Sequence, residues 1–142
     1  MLKKLLKITL LLLVVAAIAI QFVPYGRDHN NPPVSAEPNW DSPETRDLAQ
    51  RACFDCHSNE TVWPWYSNIA PVSWLVQHDV NEGRQVLNFS TWDRPQHEAG
   101  EAWEVVRSGY MPPSYYVMMH PDANLTPDET SALAEGLRQS GR

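Results

Sequence analysis

Two cysteines are all this 142-residue chain contains, and they lie three positions apart with a histidine directly after the second: Cys53-Phe54-Asp55-Cys56-His57. Each part of that spacing has a chemical reason. In a helical or turn-like segment the two thiols face the two vinyl groups of a haem and form thioethers, and the next residue turns its imidazole toward the iron from the same side. The motif therefore predicts one covalent haem c, with Cys53 and Cys56 as attachment points and His57 as the proximal iron ligand. Other uses of the residues compete. A structural disulfide leaves His57 without a role. A thioredoxin-like redox pair needs a βαβ context that the chain lacks. A zinc-binding structural module would recruit two of His78, His97 and His120, none of them at a finger-like spacing.

Export would bring the cysteines to where such chemistry takes place. Lys3, Lys4 and Lys7 precede an apolar run from Leu10 to Ile20, which Phe22 and Val23 extend past Gln21. A basic start followed by a hydrophobic stretch is the pattern of a secretory signal peptide or an N-terminal membrane anchor. Ala17-Ile18-Ala19 offers a small-x-small cleavage site, but no polar break precedes it. Residues 1–23 are accordingly read as an uncleaved signal anchor. Cleavage to a soluble periplasmic protein is the alternative. The lysines stay inside, so in either case the rest of the chain lies on the periplasmic side of the bacterial inner membrane.

All three lysines fall in the first seven residues, and the remainder carries eight arginines against seventeen acids, a formal −9. Phosphate would repel such a domain, which excludes non-specific nucleic-acid binding. The expected partners are the membrane, through the N-terminal helix, and redox proteins that the sequence does not identify.

From Pro24 to about residue 40 the composition turns to Pro, Asn, Asp and Ser, and Asn30-Asn31-Pro32-Pro33 cannot continue a helix. Residues 24–40 are expected to be a flexible linker. Residues 41–142 are the domain, with four helix signals. Asp41-Ser42-Pro43-Glu44 is a helix start that carries a capping residue and a first-turn proline. Pro71 opens a second helix that runs to Val86-Leu87. A third is expected from near Pro95 until Gly109 stops it. Thr126-Pro127-Asp128-Glu129 is a capping box that opens the last, with Leu133, Ala134 and Leu137 on its apolar side. No stretch alternates with period two for long enough to suggest a sheet. The expected fold is all-α, a small cytochrome c-like helical domain whose limited core a large cofactor would help to stabilise.

For the far side of the iron, Gly109-Tyr110-Met111-Pro112-Pro113 is the best candidate, since its prolines hold Met111 in extended chain before the last helix. His120 is the alternative, and Met118 and Met119 lie beside it. Trp63, Trp65, Tyr66, Trp74, Tyr110, Tyr115 and Tyr116 are dense around these motifs and can wall a haem or serve the core. Tryptophan or tyrosine donors and Arg84 can bond its propionates.

With these residues in hand, the sequence resembles class I c-type cytochromes from about Pro43 to Arg138. More closely, it is similar to the bacterial haem-binding domain family of membrane-anchored cytochromes. The stretches that carry the likeness are Cys53 to Asn59, Trp63-Pro64-Trp65-Tyr66, Ile69 to Leu75, Asp79 to Arg84, Leu87-Asn88-Phe89-Ser90, Met111-Pro112-Pro113 and His120-Pro121. The resemblance implies covalent haem c in an exported, often anchored, helical domain. It does not define a reaction. The function expected is single-electron transfer by a carrier rather than an enzyme, with a haem sensor or small peroxidase with a labile sixth ligand as the alternative.

Overall fold

The structure is a computed structural model that describes residues 1–140. Among them all regular structure is helical, and the one β feature is an isolated parallel bridge between Ala36 and Thr91. The helices are α1 (Leu2–Ala19), α2 (Pro43–Ala52), α3 (Phe54–His57), α4 (Val72–Val86), α5 (Ala102–Arg107), α6 (Ser114–Met119) and α7 (Pro127–Ser140). The chain divides into two units. One comprises Met1–His29 and Trp63–Asp79, the other Asn30–Val62 and the residues from Val80 onward.

In the first unit, α1 continues through a 3₁₀ turn at Ile20–Phe22, and none of its residues is buried. The 21 residues Leu2–Phe22 are long and apolar enough to cross a bilayer, and a signal sequence would have the same character. The end of this helix is bonded to the segment 63–79. The Gln21 side chain donates to the Ala70 carbonyl at 2.9 Å and accepts from the Ala70 amide at 3.0 Å. Farther along, His29 stacks on Trp63 with centroids 4.5 Å apart, and its Nε2 lies 3.0 Å from the Ser67 carbonyl oxygen. Between these two ties the chain passes Ser73 so closely that only a glycine fits at position 26. A Cβ there would stand 2.7 Å from the Ser73 carbonyl carbon, at a φ of +82°.

The second unit holds the hydrophobic core. Leu48 and Ala49 of α2, Phe54 of α3, Ala102 and Val106 of α5, and Leu133, Ala134 and Leu137 of α7 meet around Leu87 and Phe89. α7 packs on both α2 and α5, and α2 also packs on α3. The α2–α7 crossing is close because Gly136 has no side chain; a Cβ there would reach within 2.5 Å of Thr45 Cγ2. Aromatic rings extend the core beyond the helices. Phe89 stacks on Phe54 at 5.6 Å and on Trp92 at 5.9 Å, and it meets Trp40 at 5.2 Å.

The helix starts follow their sequence signals. Ser42 Oγ accepts from the Thr45 amide, which caps α2. The Thr126 and Glu129 side chains each accept from the other's amide, a complete capping box for α7. α5 differs: it begins at Ala102 rather than near Pro95. The intervening residues close a turn around Gln96, whose side chain accepts from the Asn88 amide and donates to the Thr91 and Arg94 carbonyls. α6, just past the Met111 prolines, has no counterpart among the expected helices.

The segment 30–40 lacks helix, as its prolines require, and is bonded along its length. Asn31 donates to the Thr61 carbonyl, Asn59 donates to the Pro33 carbonyl, and the Ser35 amide donates to the Ser90 carbonyl. Glu37 pairs with Arg46 at 2.7 Å, which holds its carboxyl below the usual carboxylate range.

Candidate haem site

Cys53 ends α2 and the next four residues form α3, so the motif is one helical turn set against the core through buried Phe54. The two cysteines are half-buried and not joined by a disulfide. Burial pushes the Cys53 thiol up to about 12. Among the described residues no three His, Cys, Asp or Glu side chains gather closely enough to hold a metal ion, so a zinc module has no ligand set.

His57 Nδ1 lies 3.0 Å from the Gly83 carbonyl oxygen and 3.1 Å from that of Leu87. Both partners can only accept, so Nδ1 carries the proton and donates. The lone pair is then on Nε2, the nitrogen a metal would take. Burial lowers the His57 pKa, and the two carbonyl bonds offset part of that shift. The ring is thereby kept neutral, the form that ligates. The carbonyls reach it because α4 lies almost against the motif. At Gly83 a Cβ would stand 2.9 Å from the Cys56 carbonyl carbon, and closer still to its oxygen. Gly83 thus serves twice, as the position of closest approach and as one of the two acceptors that orient the histidine. A glycine inside a helical pattern was the available signal for it.

Arg84, expected at a propionate, directs its donors into the protein. It bonds the carbonyls of Ser58 and Asn30, the Asn31 side chain and the Thr61 hydroxyl, at 2.7–3.0 Å. In this arrangement it ties the chain on both sides of the Cys53–His57 motif, while burial lowers its pKa. Met111 is half-buried, and its amide donates to the Val105 carbonyl. Both Met111 and Cys53 pack against the core cluster that contains Phe54 and Leu87.

His120 stacks on Tyr116 at 4.2 Å, and its Nδ1 lies 3.9 Å from Asp55 Oδ2. Tyr116 donates its hydroxyl to that same oxygen at 2.8 Å, and Asp55 Oδ1 accepts from the Val62 amide. Burial, and then the Asp55 charge, push the Tyr116 phenol up and keep it a donor. Asp55 is the second residue between the cysteines, so α6 is latched directly to the motif. Nothing in the Asp55 or Tyr116 sequence context signals this contact. Tyr110 is exposed. Trp63, Trp65, Tyr66 and Trp74 belong to the first unit.

The donor set fits a haem: a neutral imidazole with its outer nitrogen locked and its inner one available, and two thiols, not joined by a disulfide, on the same helical turn. Residues 15–139 match the family described as the haem-binding domain. Comparison with curated proteins and with solved structures returns no match. The match spans most of the chain and includes every residue of the site, and the chain belongs to the haem-binding domain family.

Proposed function

We propose that this is a c-type cytochrome of the periplasmic membrane face, anchored by α1, which carries single electrons between redox proteins. The observation that most supports this is the His57 ring, whose Nδ1–H donates to the Gly83 and Leu87 carbonyls directly after a Cys-x-x-Cys pair. Haem, when bound, supplies the ferric–ferrous couple. The rest is the work of the chain's own side chains. Cys53 and Cys56 would hold the haem through thioether bonds. His57 would hold the iron through Nε2, in an orientation set by its two carbonyl partners. Met111 would supply the second protein ligand through its thioether, which would raise the reduction potential and leave little to rearrange when the charge changes. The core around Phe54, Leu87 and Phe89 limits water on the protein side.

The test is absorption spectroscopy on full chain from a host that matures c-type cytochromes. Haem should survive acid-acetone extraction, and the ferric protein should show a methionine-to-iron charge-transfer band that Met111→Ala abolishes. Extractable haem would refute covalent attachment. A band unchanged in Met111→Ala would refute the distal ligand. Rapid carbon monoxide binding to the reduced wild type, without a displacement lag, would favour a sensor or peroxidase instead.

A further inference from the structure

In the unit formed by residues 1–29 and 63–79, the ordinary relation between polarity and burial is reversed. Ser67 and Ser73 are 0% and 1% exposed and Gln77 is buried with them, whereas Trp65 is 74% exposed and Ile69, Val72 and Leu75 are 43–48% exposed. A helix on a water-facing domain turns its apolar stripe inward. The first half of α4 does the opposite, and so does the 3₁₀ turn Trp65–Asn68 before it. Between Glu60 and Asp79 the sequence has no charged residue, although charged residues make up 20% of the chain. Single exposed leucines are ordinary, but a contiguous uncharged set marks a surface that meets something apolar.

The same segment is bonded to the end of the apolar helix. Gln21 makes two hydrogen bonds to Ala70 one residue before that helix ends at Phe22. Ala70 therefore lies level with the point where the helix leaves the hydrocarbon. Ile69 precedes it, and Val72 and Leu75 follow within about a turn and a half. Phe22, Val23 and Tyr25 are exposed alongside. A tryptophan, a tyrosine and branched aliphatic side chains at that level, with the Arg27 guanidinium bonded to the Gln21 carbonyl, match the composition that settles at the boundary between headgroups and acyl chains. Of the polar groups that face inward, Ser67 bonds the Pro64 carbonyl, and the Ser67 carbonyl faces His29.

We propose that Trp65, Ile69, Val72 and Leu75 form a membrane-seating surface that rests in the lipid interface beside α1. The anchor is thereby a helix with a docked foot rather than a bare span, and the foot limits how the polypeptide just beyond it can swing. This rests on α1 being an uncleaved anchor.

The experiment uses haem-loaded full chain in vesicles of phosphatidylcholine and phosphatidylglycerol, with one nitroxide per chain at Ile69→Cys, Leu75→Cys or the exposed control Asp128→Cys. Ascorbate added to the water phase reduces a nitroxide it can reach. Labels at 69 and 75 should decay at least tenfold more slowly than the label at 128. Equal decay rates on a chain of full mass would overturn the seat and leave the anchor standing. A mass that lacks the residues before Ile20 would overturn both. Strong broadening by the ferric iron would place the haem on this face, and broadening relieved by dilution with unlabelled chain would place a second copy there. Either result overturns the proposal.

Discussion

Replacing Gly83 with alanine places one methyl group where α4 lies against the attachment motif. That methyl carbon would stand 2.9 Å from the Cys56 carbonyl carbon, where ordinary contact begins at 3.4 Å, and the oxygen is nearer still. The two backbones must part by at least about 0.5 Å, because neither neighbour is a flexible side-chain end. The His57 hydrogen bonds, now 3.0 and 3.1 Å, then stretch to about 3.5 Å or beyond, where they no longer count as bonds. Losing them costs about 1 kcal/mol each, and the crowding adds about 1–3 kcal/mol. The better helix propensity of alanine returns about 1 kcal/mol. The net is a loss of about 2–4 kcal/mol, a fall in Tm of roughly 10–20 °C for a domain near 100 residues. A ring no longer held through Nδ1–H is also a poorer donor to the iron, so the reduction potential should rise. Thermal melts and redox titration of the haem-loaded protein, wild type against variant, check both effects. If Gly83→Ala instead stabilises by about 1 kcal/mol, as at an open helix position, the close approach and the orienting role of Gly83 are both refuted.

Three further outcomes are expected. Tyr116→Phe removes the hydroxyl bonded to Asp55 and should cost about 1–2 kcal/mol without loss of haem, read by thermal melting. The Tyr116 pKa is raised in the folded state, so its contribution is complete below the ordinary value of 10.0 and is lost as pH rises above it. The wild type should therefore lose stability above about pH 10 at up to about 1.4 kcal/mol per pH unit more steeply than Tyr116→Phe. Arg84→Lys cannot span the four acceptors that the guanidinium reaches, so it should lower stability by about 1–3 kcal/mol in denaturant titrations. Gly136→Ala forces a methyl against Thr45 at the α2–α7 crossing and should cost about 1–3 kcal/mol in the same titrations, part of it recovered when Thr45→Ala makes room.

What could be read from the residues alone was whatever depends on neighbours in sequence. Cys53, Cys56 and His57 declare themselves by spacing, and α2 and α7 by caps whose hydrogen bonds close over three residues. Contacts between distant segments carried no such mark. Pro95 was a plausible helix start, but the Gln96 side chain closes a turn over residues 88–96, and α5 begins only after it. The polar composition of 30–40 gave no hint of the bonds that fasten it to Thr61, Asn59 and Ser90. Arg84, expected at a propionate, reaches four acceptors that surround the motif, none of which its sequence context marks.

Gly83 shows why these long-range contacts matter chemically. The motif supplies an imidazole, but a free imidazole has two tautomers and turns about its side-chain bonds. Only the carbonyls of Gly83 in α4 and of Leu87 just after it, brought close by the missing side chain at 83, choose the tautomer and stop the rotation. On the other side of the motif, Asp55 is held by Tyr116 of α6, the helix that follows the Met111 prolines. The attachment turn is thus gripped by the element that orients its histidine and by the element next to its expected distal ligand. A change in either grip should reach the iron without touching a ligand, so the reduction potential ought to respond to Gly83 and Tyr116 even where His57 and Met111 are intact.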